Sequence, residues 1–164
     1  MPTPKEFLEG VIQPALVAID RNSVAAQQLL LGTAIQESAL KHLEQIGGGP
    51  ALGYFQMETV THDDIWETYL KFRDDLADKV RAVAGITSGE PSSQLLKTNH
   101  EYAAAMARIR YARVKAALPQ AGDIEGMANY WKQHYNTAGG AGKPEEFINK
   151  WKSSGAGALF AAMV

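Results

Sequence analysis

Only one stretch of this chain reads as extended structure, Leu52 to Met57, and it is short. Everywhere else apolar residues recur at helical spacing, or Gly, Pro and Ser mark a break. A chain with one brief extended segment has few options: it folds as a mainly α protein carrying a minimal β element beside a helix. Gly47-Gly48-Gly49-Pro50 stands just before that segment, and an apolar helix with one acid, Glu37, stands before the glycines.

Taken in order, Thr3-Pro4-Lys5-Glu6 is a helix start, with Thr3 as cap, Pro4 at the first turn and Glu6 closing a capping box. Phe7, Leu8, Val11, Ile12, Ala15, Leu16 and Ile19 then keep helical period to about Asp20. Asn22-Ser23 opens the Glu37 helix, which the pattern carries to about Gln45, where the glycines end it. Leu52 to Met57 forms a hairpin. Thr61 caps the next helix, through Trp66 and Phe72. Asp74 to Ala84 follows, then a loop from Gly85 to Ser93. Thr98 to Glu101 reads as a second capping box, opening a long central helix to about Leu118. Asp123 to about Tyr135 and a short helix from Pro144 complete the set, before a small apolar tail from Gly155 to Val164. No repeat, low-complexity segment or interdomain linker interrupts residues 1–164, so the expectation is a single domain.

Composition narrows function by exclusion. At 164 residues, a single domain buries roughly 68–70% of its unfolded surface. Sixteen basic against eighteen acidic residues leave a net charge of −2, which gives no electrostatic footprint for nucleic acid. The basic run Arg108, Arg110, Arg113, Lys115 reads as a solvated helix face. With no cysteine there is no disulfide, thiolate metal site or thiol nucleophile. The first twenty residues carry acids and prolines within their apolar pattern, so they do not read as a secretory signal. No apolar run approaches the ~20 residues that cross a bilayer. A target outside the cytoplasm would require delivery by other means.

Glu37 is the residue with chemical promise. On a helix its side is shared by Ala26, Leu30, Thr33 and Ala34 before it and by Leu40, Lys41 and Glu44 after it. It therefore sits where a buried stripe opens to solvent. Desolvation disfavours the ionised form and raises the pKa, as a general acid near neutral pH requires. A half-buried Glu bonded to backbone or to an Arg is the ordinary alternative.

Downstream residues add a pattern. Glu37-Ser38, a Gly-rich turn and Gly53-Tyr54-Phe55-Gln56-Met57, with His134-Tyr135-Asn136-Thr137-Ala138-Gly139 far along the chain, resemble the signature of the lysozyme-like superfamily, particularly lytic transglycosylases and goose-type lysozymes. The stretches GGGPALGYFQMETVTHDDIW and YWKQHYNTAGG look most like lysozyme-like proteins of tailed bacteriophages. Thr137 and the missing Pro after Gly139 depart from the pattern.

The resemblance implies a lysozyme-like α+β domain that cuts the β-1,4 glycosidic bond of peptidoglycan, with no cofactor and no metal, and with Glu37 as proton donor. It makes Ser38, Tyr54, Gln56, Met57, Tyr135 and Asn136 substrate-binding, Ser38 supporting the N-acetyl end. Strand alternation would send Tyr54 and Phe55 to opposite faces, one to the core. For a second carboxylate, Glu58 stands at the goose-type position and Ala51 at the hen-type one. Glu44 would lie about 10 Å along the axis from Glu37. Lytic transglycosylases use a single Glu. The implied partners are peptidoglycan glycan strands and other virion proteins, without nucleic acid or membrane insertion. The implied location is a phage virion, or the host cytoplasm before release.

Two other readings stay open. His42, His62-Asp63 and Asp123 match loosely the order of a helical His-Asp metal phosphohydrolase, although Thr61-His62-Asp63-Asp64 is also an ordinary helix start. A lysozyme-fold module that binds glycan or acts structurally in a virion, without catalysis, is the second. Trp131 and Tyr135, four apart, read as core packing.

Overall fold

The computed structural model describes residues 1–136 and 140–161; Thr137, Ala138 and Gly139 of the third motif lie outside them. The fold is mainly helical, with one small two-stranded antiparallel sheet. The chain opens with α1 (Pro4–Phe7), a π turn (Leu8–Ile12) and α2 (Gln13–Ala18). The expected capping box is present: Glu6 N–H donates to Thr3 Oγ1 at 3.1 Å, and Thr3 N–H to Glu6 Oε1 at 2.9 Å. The π turn answers Pro14, which has no N–H and whose ring crowds the carbonyl four residues back. There Gln13 N–H reaches Leu8 O, five residues back, so the helix widens at the proline and continues.

Helix α3 (Val24–Ser38) begins on Ser23, whose Oγ accepts from Ala26 N–H at 3.0 Å. It is buried almost throughout, as a helix apolar on all sides must be. It ends at Ser38, well short of Gln45. Ala39 and Leu40 both adopt left-handed φ of 55°, and Leu40 N–H is held by Ser38 Oγ at 3.2 Å. The stop is therefore made by two non-glycine residues, and Lys41 and Glu44 do not share a helix with Glu37. Gly47 and Gly48, also left-handed, shape the loop beyond.

Strands β1 (Ala51–Leu52) and β2 (Met57–Glu58) pair Ala51 with Glu58 and Leu52 with Met57. Gly53 turns the chain between them at φ 77°, and a Cβ there would lie 1.9 Å from Leu96 O. Tyr54 and Phe55 occupy the turn rather than strands, so alternation does not sort them and both are buried. Helix α4 (Thr59–Thr68) follows without a side-chain cap, two residues before the expected start, because β2 feeds it directly. A 3-10 turn (Leu70–Phe72) and α5 (Asp74–Ala84) come next, α5 with the expected limits.

Short α6 (Leu95–Thr98) precedes α7 (His100–Ala112), and Asn99, not Thr98, caps α7 through Tyr102 N–H at 3.0 Å. Helix α7 stops six residues before Leu118. Beyond its end the Tyr130 hydroxyl donates to Ala116 O at 2.9 Å. Helix α8 (Ile124–Trp131), capped by Asp123, runs into a π turn (Lys132–Asn136). Helix α9 (Pro144–Ser154) and a 3-10 turn (Ala156–Phe160) finish the described chain. The buried apolar residues form one cluster centred on α3 and α7. Tyr111 donates to Thr33 Oγ1 at 2.7 Å between these two helices, since the Thr33 proton is committed to Leu29 O.

Candidate active site

The early end of α3 sets up the site. Glu37 lies in its last turn, and the left-handed pair behind it swings the chain away, leaving the carboxylate at the side of a groove of about 660 Å³. The groove has two walls. One comes from helices: Glu37 of α3, Arg110 of α7, and Tyr135 and Asn136 of the π turn after α8. The other is the loop and hairpin, with the start of α4: His42, Gln45, Ile46 and Pro50, then Ala51, Gln56 and Glu58, and Thr61 of α4.

Glu37 is half-buried, and its Oε2 accepts from the Trp131 indole N–H at 2.9 Å. Burial holds its pKa above the ordinary glutamate value. The Trp131 hydrogen bond and the Arg110 and Lys150 charges pull the other way without cancelling it. An acid of this kind retains its proton at higher pH than a surface glutamate does.

Gln56 sits in the hairpin turn with φ 49°. Its amide nitrogen donates to Gly53 O at 2.8 Å and His42 O at 3.4 Å, pinning the loop to the hairpin. With both N–H bonds so used, Oε1 is the part of the amide left to accept from a ligand. Tyr135 is buried, and its hydroxyl donates to Phe55 O at 2.6 Å, tying the helical wall to the hairpin. Arg110 donates to Tyr135 O at 2.7 Å, and its guanidinium lies 4.1 Å from the ring centre. Asn136 Oδ1 accepts from Lys132 at 2.8 Å, and the same ammonium reaches Gly140 O at 2.9 Å.

Five expected residues thus share the groove: Glu37, Gln56, Glu58, Tyr135 and Asn136. Three others do not line it. Ser38 is buried, its hydroxyl spent on Ala34 O at 2.9 Å and on the Leu40 amide, so its role is to end α3. Tyr54 packs edge-on against Phe7, 5.4 Å between centres, and against His100. Met57 is buried in the core. Glu44, weighed as a second carboxylate, is ion-paired with Lys97 instead.

The metal reading finds no cluster. Among the described residues no three His, Cys, Asp or Glu side chains gather as a metal would need. The His62 ring spends both nitrogens inside the protein. His62 Nδ1 donates to the Asp63 carboxylate at 2.9 Å, and Nε2 pairs at 2.6 Å with the Tyr102 hydroxyl, which also accepts from the Trp66 indole at 2.9 Å. Asp123 is a helix cap, accepting from Gly126 N–H.

Sequence reasoning missed Arg110 and Trp131. The basic run is not a solvated face: Arg110 lies in the groove, Arg113 pairs with Asp64 at 2.7 Å, and Lys115 is beyond the helix end. Trp131 is buried, as its spacing to Tyr135 indicated, but the indole N–H has its own polar target. A tryptophan donor bound for burial needs an acceptor, and that was the one available signal. No family model, curated protein or solved structure matches this chain.

Proposed function

We propose that this protein has a lysozyme-like fold and cleaves the β-1,4 glycosidic bonds of peptidoglycan, with Glu37 as the general acid. The observation that carries the reading is the convergence of Glu37, Gln56, Tyr135 and Asn136 on one groove from three separate parts of the chain. Burial of the acid supports it, because a proton must be available for the leaving oxygen when the C–O bond breaks. Gln56 Oε1 and Asn136 offer the polar edge of a sugar site. The family wording extends the proposal to a tailed phage, with the protein carried in the virion as an entry enzyme. Among the described residues no helix is long and apolar enough to cross a membrane. Proteomics of purified particles tests the location, and late accumulation in the host with absence from particles would make it a lysis enzyme.

Clearing of purified cell walls tests the chemistry. Glu37→Gln keeps the size and the acceptor for Trp131 but removes the transferable proton, so activity falls by at least about a hundred-fold. Full activity in that variant would end the proposal. Activity of the natural protein declines as pH rises through the raised Glu37 pKa. The stability sign follows from the same shift. A folded-state pKa above the unfolded one makes ionisation costly, so stability drops as pH rises from the ordinary value toward the folded one. Glu37→Gln therefore raises Tm at neutral pH and leaves it little changed in acid. Glu58→Gln reduces activity less than about ten-fold, because Glu58 is exposed and a single acid suffices for a transglycosylase. A loss equal to that of Glu37→Gln would mark a two-carboxylate hydrolase, and muropeptide mass spectrometry would then find reducing ends rather than anhydro-sugars.

A further inference from the structure

We infer that Trp131 is a positioning residue for the acid step: its indole N–H holds Oε2 of Glu37 as an acceptor and leaves Oε1 as the oxygen that carries the proton into the groove. The inference rests on Glu37 being the acid. An indole N–H is a donor only, so Oε2 accepts from it in either protonation state, and the carboxyl proton is favoured on Oε1, because a carbonyl oxygen is the better acceptor. When that proton passes to the leaving oxygen, the bonding pair goes with that oxygen and the charge left on Glu37 is shared with Oε2. The 2.9 Å hydrogen bond then becomes charge-assisted. An interaction that strengthens as the proton leaves favours the transition state over the ground state.

The indole is built to hold still. Trp131 is fully buried, and its ring lies 5.7 Å from that of Phe147. A Cβ at Gly142 would come within 2.5 Å of Trp131 Cη2. Phe147 in turn rests on Gly32, where a Cβ would lie 2.4 Å from the ring. Gly32 is on α3, five residues before Glu37, so the stack starts and ends on the helix that carries the acid. Two glycines with no φ requirement of their own are explained by this stack.

The other groups around Glu37 are Arg110 from α7, Lys150 from α9, the hydroxyls of Tyr111 and Tyr135, and His42 and Glu58 on the groove. Among the described residues only Trp131 hydrogen-bonds its carboxylate. The test uses the intact protein labelled with 15N. The Trp131 indole resonance should move with pH in the natural protein and lose that movement in Glu37→Gln, which leaves the other titrating groups in place. A resonance indifferent to pH, or equally responsive in Glu37→Gln, overturns the inference whatever the activity. In kinetics, Trp131→Phe keeps an aromatic ring but deletes the donor. The expected result is about a ten-fold lower kcat, an unchanged KM, and a descending pH limb moved to higher pH, because the lost donor favoured the ionised acid. Unchanged kcat and limb would also overturn it. Loss of thermal stability without a change of limb would reduce Trp131 to packing. Activity retained in Glu37→Gln would instead strike at the glycosidase reading itself, so the two failures are distinguishable.

Discussion

The two walls of the groove are held in different ways. The helical wall is fixed by side chains: Glu37 against Trp131, Trp131 against Phe147, Phe147 on Gly32. The loop and hairpin wall is fixed by backbone groups. Gly53 N–H bonds Leu43 O at 2.7 Å, Gln45 N–H bonds Ala51 O at 3.2 Å, and the Gln56 side chain bonds two carbonyls. The first wall follows from volume and contact and carries the acid. The second follows from left-handed turns and carries the Gln56 amide and the Glu58 carboxylate. Under the proposed function, the proton donor and the groups that meet the glycan are divided between the two sides of the groove.

The sharpest way to break the backbone-built wall is Gly53→Ala. The new Cβ meets a main-chain carbonyl, Leu96 O, at 1.9 Å, and φ 77° is unfavourable for alanine as well. Neither fault can be relieved by rotating a side chain. The expected loss is about 3 kcal/mol or more, read by denaturant unfolding, with loss of activity. A loss below about 1 kcal/mol would mean the turn is freer than the hydrogen bonds indicate.

Tyr135→Phe attacks the tie between the walls. It removes the hydroxyl that donates to Phe55 O at 2.6 Å while keeping the ring against Arg110 and Tyr111. A buried carbonyl left unpaired costs about 1–3 kcal/mol. If the tie aligns the walls, activity falls further than stability alone explains at a temperature where the variant stays folded. Equal activity would make Tyr135 a packing residue only.

Sequence revealed this architecture unevenly, and the unevenness is physical. Helix starts were legible at Thr3, Ser23, Asp123 and Pro144, because a cap or an N-terminal proline acts within one turn. The ends of α3 and α7 were not. Helix α3 stops on a left-handed Ala-Leu pair and α7 stops at Ala112, and neither stop has a local signature. The same holds at the site. Glu37 and Gln56 were readable from local pattern and family wording, and both line the groove. Ser38, Tyr54 and Met57 carried the same wording but are buried by the α3 stop and the hairpin turn. The Trp131 hydrogen bond joins residues 94 positions apart, which no local pattern encodes.

The smallest expected effect concerns the junction between the walls, at Ala39. A left-handed conformation costs a non-glycine residue roughly 1–2 kcal/mol, and Ala39 adopts it while exposed, with only a methyl group to place. Leu40 has the same φ, but its buried side chain offsets the strain, so glycine there would forfeit more than it relieved. Ala39→Gly loses almost no contact. It relieves the steric cost and adds glycine's extra entropy loss on folding, about 0.5–1 kcal/mol. The balance is a gain of up to about 1 kcal/mol, a Tm higher by a few degrees, with cell-wall clearing unchanged. A fall in Tm would show that Ala39 is not strained. A rise in Tm with reduced clearing would show that the strain is used, holding the end of α3 and the carboxylate of Glu37 in place across the turn.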